Sequence, residues 1–183
     1  DDVKRISKKI NRFNSKGYLE RVGYLPNYGN LKTSNIIAWQ LGHEYLDEQG
    51  AINLSSKEMK DSFLWIKSFI HEIGLKKVLE LMGTFGTGLQ HGFISGKVSM
   101  MILDSSYPEI IEKYKPDFQY GVIPIPSYGD SKPISSAGIW WLGIPRGVKD
   151  PKKSWDYISF LAGEKNQIDY QKRTEESPVS YTH

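Results

Sequence analysis

Asp104, Ser105, Ser106 and Tyr107 follow an apolar run that ends at Leu103 and precede Pro108. They supply a carboxylate, two hydroxyls, a phenol and free backbone N–H groups near a helix start. This equipment suits a polyhydroxylated ligand. The carboxylate can accept paired hydrogen bonds from vicinal hydroxyls, and the ring can cover an apolar sugar face. The same four residues also read as a plain helix entry capped by Ser105 or Ser106. A second set lies in SSAGIWWLG, residues 135–143. Gly138 would let backbone approach a ligand closely. On a strand Trp140 and Trp141 point to opposite sides. Trp140 lies nearer the glycine turn and is the candidate to face a ligand, with its neighbour packing inward.

Other chemistries lack their residues. No G-x-S-x-G elbow for a nucleophilic serine occurs. The four histidines, His43, His71, His91 and His183, fall at neither H-x-x-x-H nor H-E-x-x-H spacing, so no zinc site is expected. Gly83 to Gly88 lacks the Gly-Lys-Ser/Thr of a phosphate loop. Acids are frequent enough for the paired carboxylates of a glycoside hydrolase, but nothing singles out two of them. The motifs thus single out no catalytic residue, no cofactor and no metal, and they leave a binding protein open. A glycan-active enzyme or a self-contained carbohydrate-recognition domain is the alternative.

Bulk composition agrees with an ordinary globular chain. It has 183 residues, 39% hydrophobic and 25% charged, enough for one domain with a real core. The net charge is +3, and lysines alternate with acids as in Lys57-Glu58-Met59-Lys60-Asp61. Such a surface is solvated, and no nucleic-acid partner is expected. Cysteine is absent, which excludes disulfides and thiolate metal sites. No apolar run approaches the roughly 20 residues of a membrane span. Five Trp and eleven Tyr provide many flat amphipathic rings for a core or for sugar faces.

The elements that must hold these residues read as follows. Val3, Ile6, Ile10 and Phe13 predict a first helix closed by Lys16-Gly17. Residues 21–25 predict a strand stopped by Pro26, and residues 35–42 a short helix carrying Trp39. Residues 43–54 read as irregular, with Asp47, Gly50 and Asn53 as turn formers. Ser55 and Glu58 form a capping box that opens the strongest helix. Its stripe is Met59, Phe63, Ile66, Ile70 and Ile73, up to Gly74. Another helix covers 75–82, with Leu75, Val78, Leu79 and Met82 on one face. A glycine-rich loop leads to a short helix at 89–95. Buried strands are predicted at 98–103, 120–125 and 140–144. A helix at 108–114 starts with Pro108, and residues 127–133 form a loop. Asp150-Pro151 opens a helix that faces Trp155, Ile158 and Leu161 inward and ends at Gly163. A last helix covers 165–173. Alternating helices and short buried strands give an α/β class with a mixed or parallel sheet flanked by helices. Ligands in such sheets sit beyond the strand ends.

The order and spacing of FISGKVSMMILDSSYPEI (93–110), YGVIPIP (120–126) and AGIWWLGIPRGVKDPKKSWDYISFLAG (137–163) resemble the extracellular solute-binding proteins of sugar ABC importers, the maltose-binding-like family. Phe93, Gly96, Lys97, Met100 and Met101 match its Phe-x-x-Gly-Lys-x-Ala-Met pattern. Asp104 stands where glycine is usual and Ser106 where a stacking Trp often stands, with Tyr107 as its substitute one residue later. Gly138-Ile139 replaces a Gly-Gly pair. The stretch from Pro145-Arg146-Gly147 to Phe160-Leu161 is the closest match, with a packing role that puts Trp155 in the core. AWQLGHEYLDEQG resembles a region that reaches ligand in the family. That adds Trp39, His43 and Glu44 as ligand-binding candidates, although His43 also reads as a surface histidine at a helix end. Asp1 to Lys9 and Ser177-Pro178-Val179 resemble the segments beside the two crossings between lobes.

The resemblance implies a periplasmic-binding-protein-like (type II) fold. Residues 1–183 are then a single α/β lobe, the C-terminal ligand-binding one, of a two-lobe protein. The implied partners are a sugar or oligosaccharide, an ABC transporter permease and the N-terminal lobe of the same protein. The implied location is extracytoplasmic, in the periplasm or at the cell surface, as a free protein or a lipoprotein. A chain that starts at Asp1 reads as an excised piece, so a missing leader says nothing about location.

Overall fold

A computed structural model describes residues 2–136 and 141–174. The chain divides into two compact units, residues 1–136 and 137–183.

In the first unit, helix α1 (Asp2–Ile10) leads into a short strand β1 (Arg12–Phe13), which pairs antiparallel with β2 (Leu19–Tyr24). The predicted first helix therefore stops before Phe13, which is exposed. Side chains win over helical backbone here. Asn11 Oδ1 accepts from Gly23 N–H at 2.8 Å, and Asn14 Oδ1 takes the N–H groups of Lys16 and Tyr18, each at 3.0 Å. Strand β3 (Val98–Met100) runs parallel to β2, with Val22 opposite Val98 and Tyr24 opposite Met100. The sheet order is β1-β2-β3. Helix α1 lies so close to β2 that a Cβ on Gly23 would come within 2.5 Å of the Ser7 backbone. The Ser7 hydroxyl in turn accepts from Tyr24 N–H at 2.9 Å.

Helices α2 (Thr33–Gln40), α3 (Lys57–Ile73) and α4 (Leu75–Met82) follow, with α5 (Tyr107–Tyr114) after β3. The main core is built from Leu19, Val22, Tyr24 and Leu25, with Phe69, Ile73, Val78, Leu81 and Val98. A smaller cluster joins Ile94, Tyr107 and Ile111. The predicted stripes are rotated. On α3 the buried residues are Met59, Ser62, Phe69 and Ile73, while Phe63 is exposed. On α4 they are Val78 and Leu81, while Leu75, Leu79 and Met82 face outward. Apolar residues ring much of both helices, so the sequence leaves open which arc meets the sheet. The α3 cap is Ser56 rather than Ser55. Its Oγ accepts from Met59 N–H at 3.1 Å.

Two strand expectations are corrected and one is shortened. β3 ends at Met100 rather than Leu103, because its partner ends at Tyr24 just before Pro26. Residues 120–125 form no strand, and Val122 and Ile123 are 82% and 74% exposed. Pro124 and Pro126 lack the N–H groups a ladder needs. Of the predicted strand at 140–144, the described residues 141–144 are irregular. The 89–95 segment is a 3-10 turn (Gly88–Gln90) followed by turns, not an α-helix.

In the second unit, α6 (Pro151–Ala162) is followed by α7 (Glu164–Thr174), with the chain bending at Gly163 between them. Asp150 caps α6 as predicted, accepting from Lys153 N–H at 3.1 Å. Asn166 and Gln167 donate to the carbonyls of Phe160 and Leu161, covering acceptors at the end of α6. Trp155 is 60% exposed, against its expected place in a core. The sheltered positions are Ser154, Ile158 and Leu161. One helical step of about 100° carries Trp155 away from Ser154 toward the rim of that stripe. The fold is mixed α/β, a small mixed sheet flanked by helices.

Candidate functional site

Because β2 and β3 are parallel, the segments after them leave the sheet at the same edge. Open α/β sheets bind ligands at that edge. After β2 comes Leu25 to Lys32, and after β3 comes Met101 to Ser106. The two are in direct contact at Gly29, which has φ +105° and lies so near Ile102 that a Cβ would sit 2.6 Å from its carbonyl oxygen. Only glycine serves both demands. Asn30 follows, and its Nδ2 donates to Asp104 Oδ2.

Asp104 organises the turn. Its Oδ1 accepts from Ser106 N–H at 3.1 Å and from the Ser106 hydroxyl at 2.5 Å. Ser106 stands at the cap position of α5 without a side-chain capping bond, and the Asp104 carboxylate takes its N–H instead. The Ser106 hydroxyl foremost, with the Asn30 amide and the Ser106 N–H, holds the Asp104 carboxyl below its ordinary pKa against a smaller opposing push from burial. An ionised carboxylate has about four acceptor positions. Three are used, and Asp104 is only partly buried, so capacity remains for a ligand hydroxyl. Ser105 is exposed beside it.

Tyr107 is 7% exposed and packs with Ile94 and Ile111. Its hydroxyl bonds to His91 Nδ1, an atom that also accepts from Phe93 N–H at 3.3 Å. A nitrogen that accepts an amide N–H carries no proton, so the His91 proton is on Nε2 and Tyr107 is the donor. Burial holds the His91 pKa down. The Tyr107 pKa is pushed up, first by burial and then by Tyr28 and Asp104. Tyr28 stacks on His91 with centroids 5.1 Å apart, and its hydroxyl accepts from Gly92 N–H at 2.9 Å. The Tyr107 ring thus anchors the turn from below.

A second group gathers where α2 ends and α3 begins. Trp39, partly buried, meets Tyr45 edge-on at 5.9 Å, and Tyr45 meets His43 edge-on at 4.9 Å. His43 is 5% exposed, so it is no surface histidine. Its Nδ1 lies 2.9 Å from Ser56 Oγ, and its buried Nε2 has no hydrogen-bond partner among the described residues. Glu44 is exposed. Gly138 and Trp140 lie outside the described residues.

Asp104, Ser105, Ser106 and Tyr107 therefore form one turn, Trp39 and His43 share a second cluster, and loop 25–32 carries the chain between the two. Tyr28, Asn30 and His91 are additional members that sequence reasoning missed. A signal existed for the first two, since they flank Gly29 just beyond a strand. None existed for His91, whose bond to Tyr107 is made by folding. Among the described residues, no group of three or more His, Asp or Glu is placed to hold a metal ion. The site offers neutral and anionic hydrogen-bond acceptors, hydroxyls and rings.

Comparison with known proteins bears on the whole chain. Two solved structures, described as CpMnBP1 with mannobiose bound and CpMnBP1 with mannotriose bound, each share the fold at a TM-score of 0.78 and 20% identity. Each match covers 97% of this chain. The chain spans about half of those proteins, 46% and 47% of their lengths. No curated protein matches it at a significant level. The family model described as bacterial extracellular solute-binding protein matches residues 2–168. With that match over nearly the whole chain, and with a small mixed sheet whose polar turn lies at the carboxyl edge, this protein belongs to the bacterial extracellular solute-binding protein family.

Proposed function

We propose that residues 1–183 are the C-terminal lobe of a two-lobe protein that captures a sugar or oligosaccharide and presents it to an ABC transporter permease, catalysing no reaction. The observation that carries the reading is the Asp104 turn, where a partly exposed carboxylate with spare acceptor capacity stands beside the exposed Ser105 hydroxyl. Vicinal sugar hydroxyls match that set. Asp104, Ser105 and Ser106 supply its polar contacts, with Tyr107 holding the turn from below. Trp39 and the exposed Glu44 supply a second wall, backed by the buried His43, and Gly138 and Trp140 are further ligand-binding candidates of the same reading. The sugars held by the two solved structures of the same fold make mannobiose and mannotriose the first probes. The N-terminal lobe closes over the ligand by a hinge motion, as clefts between domains allow. The protein works outside the cytoplasm, lipid-anchored or free.

A calorimetric screen of mono- and oligosaccharides, run on this chain and on the two-lobe protein, tests the reading. Binding by the two-lobe protein and weak or absent binding by the single chain is the expected result. Equal, tight binding by the chain alone would mean a self-contained recognition domain. Turnover of chromogenic glycosides would mean an enzyme.

A further inference from the structure

We infer that the loop Pro126–Ser131 is a further wall of the α2–α3 cluster, with Gln40 as its positioning residue and the Tyr128 ring as its ligand contact. This rests on the sugar-binding reading above. Gln40 is a buried amide, 7% exposed, on the last turn of α2, next to Trp39. Both ends of its side chain are used, and both on a segment 86–88 residues away. Nε2 donates to the Pro126 carbonyl at 3.1 Å, and Oε1 accepts from Tyr128 N–H at 2.9 Å. The loop also ties itself together: Ser131 N–H donates to the Tyr128 carbonyl, and Ser131 Oγ accepts from Tyr128 N–H, each at 3.1 Å.

The position of the loop follows from its neighbours. Gln40 closes α2 directly after Trp39, so the Pro126 and Tyr128 backbone that it holds lies at that helix end. Ser56, the cap of α3, bonds His43, three residues beyond α2. The Tyr128 backbone thus stands at the end of α2 that leads into the cluster of Trp39, His43 and Tyr45. The Tyr128 side chain is only partly buried, whereas the amide that holds its backbone is sealed. A buried polar side chain satisfied at both ends fixes backbone well, and a fixed loop lets a ring bind without first paying to order it. The chemistry suits the apolar face of a pyranose ring, adding an aromatic platform to Trp39.

The test compares Gln40→Met, Gln40→Glu and Tyr128→Leu with the unaltered two-lobe protein, by amide hydrogen exchange without ligand and by calorimetry with mannotriose. Gln40→Glu keeps an acceptor for Tyr128 N–H, so the Tyr128 amide should stay protected there and lose part of its protection in Gln40→Met, where Ser131 Oγ is the acceptor that remains. Tyr128→Leu and Gln40→Met should each weaken mannotriose binding by roughly tenfold. Gln40→Glu should weaken it less, and the Tyr128→Leu/Gln40→Met pair should lose little beyond either single change. Unchanged binding in Tyr128→Leu, where Asp104→Asn does weaken it, overturns this inference and leaves the sugar-binding reading standing. An unprotected Tyr128 amide in the unaltered protein also overturns it. If the unaltered protein binds no sugar in a wider screen, both readings fall together.

Discussion

Asn30 Nδ2 donates to Asp104 Oδ2, joining the segment after β2 to the turn after β3 across 74 residues of sequence. The bond orients a carboxylate whose other oxygen is occupied by Ser106, so the remaining acceptor position faces a defined direction. The turn is therefore shaped before any ligand arrives, which lowers the ordering cost of binding.

Replacing Asp104 with Asn keeps the shape and removes the charge. If the carboxylate receives sugar hydroxyls, Asp104→Asn should weaken binding by roughly ten- to a hundredfold, the range of a charge-assisted hydrogen bond. Asn30→Ala should weaken it less, since it only frees the carboxylate to rotate. Titration calorimetry on the two-lobe protein checks both, and equal affinity in Asp104→Asn would remove this residue from the site.

Gly29 carries the close approach between the two segments. Gly29→Ala combines a positive φ with a backbone clash at Ile102, whereas Gly17→Ala meets a positive φ (+80°) and open space. The Gly17 change should cost about 1–2 kcal/mol of stability, and the Gly29 change should exceed it by about 1–3 kcal/mol. Urea denaturation of the two variants side by side measures the difference.

His91 gives the first unit an acid sensitivity of definite sign. Burial lowers its folded pKa below the ordinary 6.5. The unfolded chain then binds more protons in the window below pH 6.5. The His91 contribution is complete above that pH and is lost as pH falls through the lowered folded value. His91→Phe removes this titration. Its stability should fall less steeply than that of the unaltered protein just below pH 6.5, as read from thermal melts across pH. Asp104 adds a separate loss at lower pH, because its depressed pKa makes its contribution present above 3.8 and lost beneath it.

Ser56 has two tasks, capping α3 and holding His43. Ser56→Ala should cost about 1 kcal/mol for the cap alone. A Ser55→Ala change should be near neutral, since Ser55 is exposed and is not the cap. Chemical denaturation distinguishes the pair, and equal losses would contradict the observed cap.

Much of the fold could be read directly. The Asp150-Pro151 start of α6, the Gly74 stop of α3 and the strand before Pro26 all follow from local preferences, because a cap or a proline acts on its immediate neighbours. The family was legible for a related reason: its pattern is a series of such local features in order. Faces and partners were less legible. Phe63 and Phe69 are equally apolar, yet only Phe69 enters the core. Val122 and Ile123 look like strand residues and pair with no strand among the described residues.

The candidate site divides in the same way. Sequence alone placed Asp104, Ser105, Ser106 and Tyr107 in a polar turn after an apolar run, since the types and their order are sufficient for that. Folding made Tyr107 a buried anchor on His91, brought Asn30 to Asp104, and set Gln40 across the backbone of Pro126 and Tyr128. Side-chain type states what a group can donate or accept. Which distant group arrives within about 3 Å of it depends on how helices and sheet pack, and hydrogen bonds are sensitive to that distance and angle.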